Sequence, residues 1–254
     1  MICGKSYNLL KRELAMYASL PFYRSYNTER YLDYKMRKEA LNWPDIITYV
    51  NLDLDTEHYT CVKQIKVPDH LYVLVNKHNQ LNNQYVPCDL EEINPTFSLQ
   101  GLRLRREARR AFEIMSRCAL RDGIILTAIS TYRSYDYQET VYFSKFTPEM
   151  NLEDYQNFRD KVSARPGHSE HQTGLAVDIN DLEETFELTP EGKWLAAHSY
   201  RYGFILRYPK NKEHITGYSF EPWHFRYLGV DLAVEVYQSG LTYDEFYVRN
   251  LCPQ

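Results

Sequence analysis

Apolar residues along this chain recur at helical intervals in some stretches and form short extended runs in others. Leu104, Ala108, Ala111, Phe112, Met115 and Ala119 follow helical spacing, and Gly123 is placed to end that helix. IILTAIS (124–130) is short, apolar and partly β-branched, and reads as a buried strand. It delivers the chain to TYRSYDYQ (131–138), a loop leading into another helix, and LEDYQNFRDKV (152–162) is a further helix. Arg165-Pro166-Gly167 marks a turn. Thr189-Pro190 supplies an N-cap and a first-turn proline for a helix running to about Tyr202 and ending at Gly203. GFILRYP (203–209) and EPWHFRYL (221–228) read as strands, and VDLAVEVYQSG (230–240) as a closing helix. Thr242 with Glu245 forms a capping box for a last short helix. Helices and short strands mix without regular βαβ alternation. The predicted class is α+β, with a mainly antiparallel sheet flanked by helices.

The first forty or so residues are polar, tyrosine-rich and helix-compatible, with RYLDYKMRKEALN (30–42) the strongest helix and Trp43-Pro44 a break after it. This predicts a small helical N-terminal annex, 1–46, followed by a main domain, 47–254. At 254 residues there is enough chain for one well-buried core plus such an annex.

A net charge of −4 removes any general reason to expect nucleic acid. The cluster Arg103, Arg105, Arg106, Arg109 and Arg110 reads as the solvated face of a helix. Twenty-three tyrosines point to half-buried amphipathic packing, with stacking on sugars as the alternative. No apolar run reaches the length of a membrane span, and the N-terminus lacks the uninterrupted apolar stretch of a secretory signal. The five cysteines contain no CxxC pair, so neither a zinc ribbon nor a dense disulfide scaffold is indicated.

Two segments carry the chemistry: GHSEHQTGLAVDIN (167–180) and EPWHFRYLG (221–229). His171, Asp178 and His224 offer two imidazoles and a carboxylate, three protein ligands for Zn²⁺ that leave one position open. Glu221, three residues before His224, is a further carboxylate of the kind a metal-activated water needs as proton acceptor. Residues seven apart point to opposite faces of a regular strand, so His171 and Asp178 can converge only if the chain turns at Thr173-Gly174. Taken singly, each segment has an ordinary reading. His171 would be a surface histidine and Asp178 a strand-end carboxylate, and EPWH an edge strand with a buried tryptophan.

Together, the pattern S-x-H-x-x-G-x-A-x-D (Ser169, His171, Gly174, Ala176, Asp178) followed by E-P-W-H resembles the VanY-type D-alanyl-D-alanine carboxypeptidases. These are zinc peptidases of the group that includes lysostaphin-like and hedgehog-like folds. TYRSYDYQ, GFILRYP, TGYSFEPWHFRYLG and, more loosely, TYVNLDLD (48–55) extend the resemblance from about Ile47 to the end. It implies His171, Asp178 and His224 as zinc ligands, Glu221 as catalytic base and Arg133 as the arginine that holds substrate and steadies charge. Gln138, Ser163 and Ser169 are candidates for gripping the C-terminal D-residue, with loop hydrogen bonding as the alternative, and His168 reads as a pocket-wall residue.

The activity so implied is removal of the C-terminal D-alanine from peptidoglycan stem peptides by a DD- or LD-cut. The alternatives are a non-catalytic zinc-containing cell-wall-binding module, or a dipeptidase or endopeptidase of the same fold. Such a substrate implies an extracytoplasmic protein whose export or anchor segment is absent from this chain, with cytoplasmic recycling of stem peptides as the alternative. Sequence leaves the oligomeric state open.

Overall fold

A computed structural model describes residues 7–251, which form two compact units. One comprises the residues up to Thr60 together with those from Tyr243 onward; the other is Cys61–Thr242. Cys3 and Cys252 lie outside the described residues, while Cys61, Cys88 and Cys118 are free thiols. No helix of the described residues is long and apolar enough to cross a membrane.

The smaller unit holds α1 (Tyr7–Ala15), α2 (Thr28–Arg37) and α3 (Trp43–Asn51). Trp43-Pro44 opens α3 rather than only closing what precedes it. The Asn42 side chain accepts from the Asp45 amide, and Pro44 sits in the first turn, where its missing N–H is no loss. Arg30 bridges Asp53 and Asp55, and Arg249 reaches Asp45 at 2.8 Å, which ties the C-terminal segment to α3. The division between the two compact units falls after Thr60.

The larger unit begins with short pairings, parallel between β1 (Lys63–Gln64) and β2 (Asn79–Gln80) and antiparallel between β3 (Leu90–Glu92) and β4 (Arg103–Arg105). α4 (Arg106–Arg121) follows and buries Ala108, Phe112, Met115 and Ala119; of the other two positions singled out by spacing, Leu104 is buried on β4 and Ala111 is half-buried on the helix. The arginine cluster is split between β4 and α4 and pairs with acids: Arg105 on β4 with Asp89, and Arg106 and Arg109 on α4 with Glu91, Arg109 also with Glu113.

Next come β5 (Ala128–Ser130), α5 (Tyr135–Phe143), α6 (Leu152–Arg159) and β6 (Ala176–Ile179). α7 (Pro190–His198), β7 (Phe204–Leu206), α8 (Glu213–Thr216), β8 (His224–Tyr227) and α9 (Val230–Ser239) complete the unit. α10 (Tyr243–Phe246) and a π-helical turn, Tyr247–Leu251, belong to the smaller unit. Only the end of IILTAIS is strand. The Thr127 amide donates to the Asn180 side chain, which itself donates to the Ile125 carbonyl, so these groups are satisfied outside a ladder.

The central sheet has four antiparallel strands in the order β5-β6-β8-β7. Val177, Ile179, Phe204, Phe225 and Tyr227 join Leu104, Phe112 and Leu195 in one buried cluster. Each large apolar side chain sealed there contributes about 1.5–3 kcal/mol. Alternation along β6 and β8 then puts Asp178, His224 and Arg226 together on the opposite face. The core thus aims the polar side chains of these two strands into a single layer.

Candidate metal centre and active-site cavity

Asp178 on β6 and His224 on β8 are register partners, so their side chains stand side by side. His224 Nδ1 lies 3.0 Å from Asp178 Oδ1. His171 reaches the same carboxylate from a 3₁₀ turn, Glu170–Thr173, with Nε2 3.2 Å from Asp178 Oδ2. Gly174 ends that turn at φ +66 and reverses the chain into β6, as the spacing of His171 and Asp178 requires. A Cβ at Gly174 would stand 2.8 Å from Leu90 Cδ2, so the position admits only glycine without rearrangement.

The ligand atoms of His171, Asp178 and His224 all lie within 4.8 Å of one another. The three side chains are buried. His171 Nδ1 donates to the Thr131 carbonyl at 2.6 Å, which leaves Nε2 as a lone pair. That Nε2 has no hydrogen-bond partner among the described residues although a carboxylate oxygen faces it. Two lone-pair atoms set against each other in a buried site suit a shared cation, and two nitrogens with one carboxylate oxygen suit zinc. Burial, reinforced by Arg133, lowers the His171 pKa to about 4, so its ring is the neutral form a metal requires. Burial works against the charge on Asp178, but the facing imidazoles hold its carboxyl well below the usual range. Burial also disfavours charge on His224, yet Asp178, Glu170 and Glu221 together raise it to about 9.

Glu221 does not lie on the strand with His224. The His224 amide donates to the Glu221 carbonyl, closing a tight turn through Pro222 and Trp223. The turn folds the Glu221 carboxylate back to 3.7 Å from His224 Nδ1. Burial, with Asp178 adding to it, raises the Glu221 pKa to about 7 against the opposing pull of His224 and Arg133. Arg133 belongs to the loop joining β5 to α5, pinned because its amide donates to the His171 carbonyl. Its Nε has no hydrogen-bond partner among the described residues, and burial pushes the guanidinium below its ordinary value against Asp178 and Glu221.

Arg133, Ser163, Ser169, His171, Asp178, Glu221 and His224 line one cavity of about 530 Å³. Ser169 also accepts from the His171 amide, so it caps the turn as well as facing the cavity. Gln138 is not among the lining residues. It is buried on α5 with Nε2 donating to the Ala164 carbonyl, which it braces behind the wall. His168 is also absent from the lining, its Nδ1 meeting the Asn76 carbonyl at 2.8 Å. Sequence reasoning passed over Tyr208, whose ring packs 4.9 Å from that of His224, and Glu170, 3.6 Å from His224 Nε2. A tyrosine just beyond a strand and a glutamate between two motif residues carry no signal of their own.

A family model described as VanY, D-alanyl-D-alanine carboxypeptidase, matches residues 101–230, the span that contains every residue of this cluster. The chain belongs to the VanY family. YodJ of Bacillus subtilis (strain 168), a carboxypeptidase by name, is 39% identical over 212 residues, covering 77% of this chain and 76% of that protein. The LdcB LD-carboxypeptidase structure is similar with a TM-score of 0.69 at 38% identity, covering 75% of this chain and 91% of that one. A VanY D,D-pentapeptidase solved with Zn(II) has a TM-score of 0.60 at 34% identity, covering 69% of this chain and 97% of the other. This VanY-family chain is accordingly a zinc-dependent carboxypeptidase.

Proposed function

We propose that this VanY-family enzyme removes the C-terminal D-alanine from peptidoglycan stem peptides, by a DD- or an LD-cut. His171, Asp178 and His224 hold the zinc, Glu221 moves the proton, and Arg133 grips the substrate. One observation carries the reading: the largely enclosed carboxylate of Glu221 and the guanidinium of Arg133 open into the same cavity as the three-ligand cluster.

The zinc supplies Lewis-acid activation of water and of the scissile carbonyl. Glu221 accepts the proton of the attacking water and returns it to the departing amine of D-alanine. A carboxyl with a pKa near the working pH suits both halves of that transfer. Arg133 presents a planar fork of donors, suited to the terminal carboxylate or to the developing oxyanion. Ser163 and Ser169, on the same wall, offer neutral hydrogen bonds to the D-residue. A peptide-binding module without turnover would not need a second carboxylate, Glu221, beside the three-ligand cluster. Because stem peptides are part of the cell envelope, the proposed place of action is outside the cytoplasmic membrane.

The test is mass spectrometry of synthetic tetrapeptide and pentapeptide stems incubated with the protein, with and without a chelator. Loss of one D-alanine, abolished by the chelator, is the expected result. Intact peptides would overturn the reading, and larger fragments would make the enzyme an endopeptidase.

A further inference from the structure

Glu170 lies between two motif residues, Ser169 and His171, and its carboxylate is fully enclosed. Oε1 accepts from Arg207 Nε at 2.8 Å and from Arg226 Nη1 at 2.9 Å, two guanidiniums that are themselves buried. Arg226 is anchored in turn, its Nη2 donating to the carbonyls of Leu71 and Val73 at 2.9 Å each. This carboxylate is therefore held rigidly from one side. Its other oxygen, Oε2, has no hydrogen-bond partner among the described residues, and it faces His224 Nε2, which has none among them either. The two atoms are 3.6 Å apart, too far for a hydrogen bond and close enough for a small ring rotation to make one.

His224 thus has one nitrogen on each side of a chemical divide. Nδ1 faces Asp178, inside the ligand cluster, and Nε2 faces Glu170, outside it. A metal-bound imidazole must present a lone pair at one nitrogen and carries its proton on the other, and a carboxylate at the protonated nitrogen fixes that choice. We propose that Glu170 is the positioning residue of the zinc site: it receives Nε2–H of His224, so that Nδ1 is the ligand, while Arg207 and Arg226 hold the carboxylate in place. The inference rests on the metal reading given above and adds to it the residue that selects the tautomer and aims the ring.

Glu170→Gln separates this role from simple space filling. The amide oxygen still accepts from the two arginines, but an –NH₂ then faces His224 Nε2 and favours the opposite tautomer. Zinc affinity, measured by chelator competition on the full chain, is expected to fall about ten- to hundredfold. A second measurement needs no variant. In zinc-loaded, ¹⁵N-histidine-labelled wild-type protein, the His224 proton is expected on Nε2. A wild-type His224 bound through Nε2, or a folded E170Q protein with wild-type zinc affinity, would overturn the inference and leave the zinc reading standing. A wild-type chain that takes up no zinc would overturn both.

Discussion

Asp178 and His224 sit directly opposite each other on antiparallel neighbours, and their side-chain atoms meet at 3.0 Å. A one-residue slip of either β6 or β8 would carry that strand's residue to the apolar face and part it from the other. The packing of Val177, Ile179, Phe225 and Tyr227 on that face forbids the slip. The hydrophobic core thereby sets the spacing of the metal site, and His171 is added by the turn that precedes β6.

Glu221→Gln removes the proton carrier and keeps the shape of the side chain. Zinc content stays at the wild-type level, and turnover of D-alanine release falls by roughly 10²- to 10⁴-fold. Elemental analysis and a D-alanine assay on the same sample check both halves, and near-normal turnover would exclude Glu221 as the base.

Arg133→Lys keeps a positive charge and loses the planar fork. The expected result is unchanged zinc content with kcat/KM lowered by roughly 10²- to 10³-fold. A rise in KM alone places the guanidinium on the terminal carboxylate, and a fall in kcat alone places it on the oxyanion. Kinetics close to wild type would remove Arg133 from the site.

Gly174→Ala puts a Cβ at φ +66, against Leu90 and Arg105. The cost is about 1–3 kcal/mol in folding stability, read by denaturant titration. Where the strain at positive φ is relieved by a shift of the His171 turn, zinc affinity falls in parallel. An alanine variant with wild-type stability would show that the turn tolerates another path.

His168 makes stability depend on acid pH. Burial, as the leading cause, lowers its pKa to about 4, against about 6.5 in the unfolded chain. Between those values the unfolded state binds more protons, so stability falls as pH drops through the window, and the effect vanishes above it. The full term is on the order of 3 kcal/mol. Urea midpoints for wild type and His168→Gln, compared at about pH 7 and pH 4.5, should converge for this group on the acid side. Identical pH slopes would contradict the assignment.

Much of this was legible in the residues, because local rules decided it. The helical spacing of Ala108, Phe112, Met115 and Ala119 marked α4, and Thr189 caps α7 through the Gly192 amide. The ligand spacing required a turn at Thr173-Gly174, and the turn is present. Local rules also misled: Pro44 signals both the end of one helix and the first turn of the next, and only the Asn42 cap selects between them. Gln138 and His168 lie close to site residues in sequence, yet Gln138 Nε2 and His168 Nδ1 are bonded to backbone carbonyls behind the cavity wall. Glu170 was illegible for the opposite reason. Its partners Arg207 and Arg226 lie 37 and 56 residues further on and reach it only through the strand order of the sheet.

The central claim is that two imidazoles and one carboxylate share a single zinc ion, and the most direct test is zinc stoichiometry by elemental mass spectrometry on wild type and Asp178→Ala after gel filtration. The account predicts one zinc per wild-type chain and a loss of bound zinc in the variant, with a retained fold by circular dichroism. A wild-type protein without zinc, or a variant that still carries one ion per chain, would contradict it.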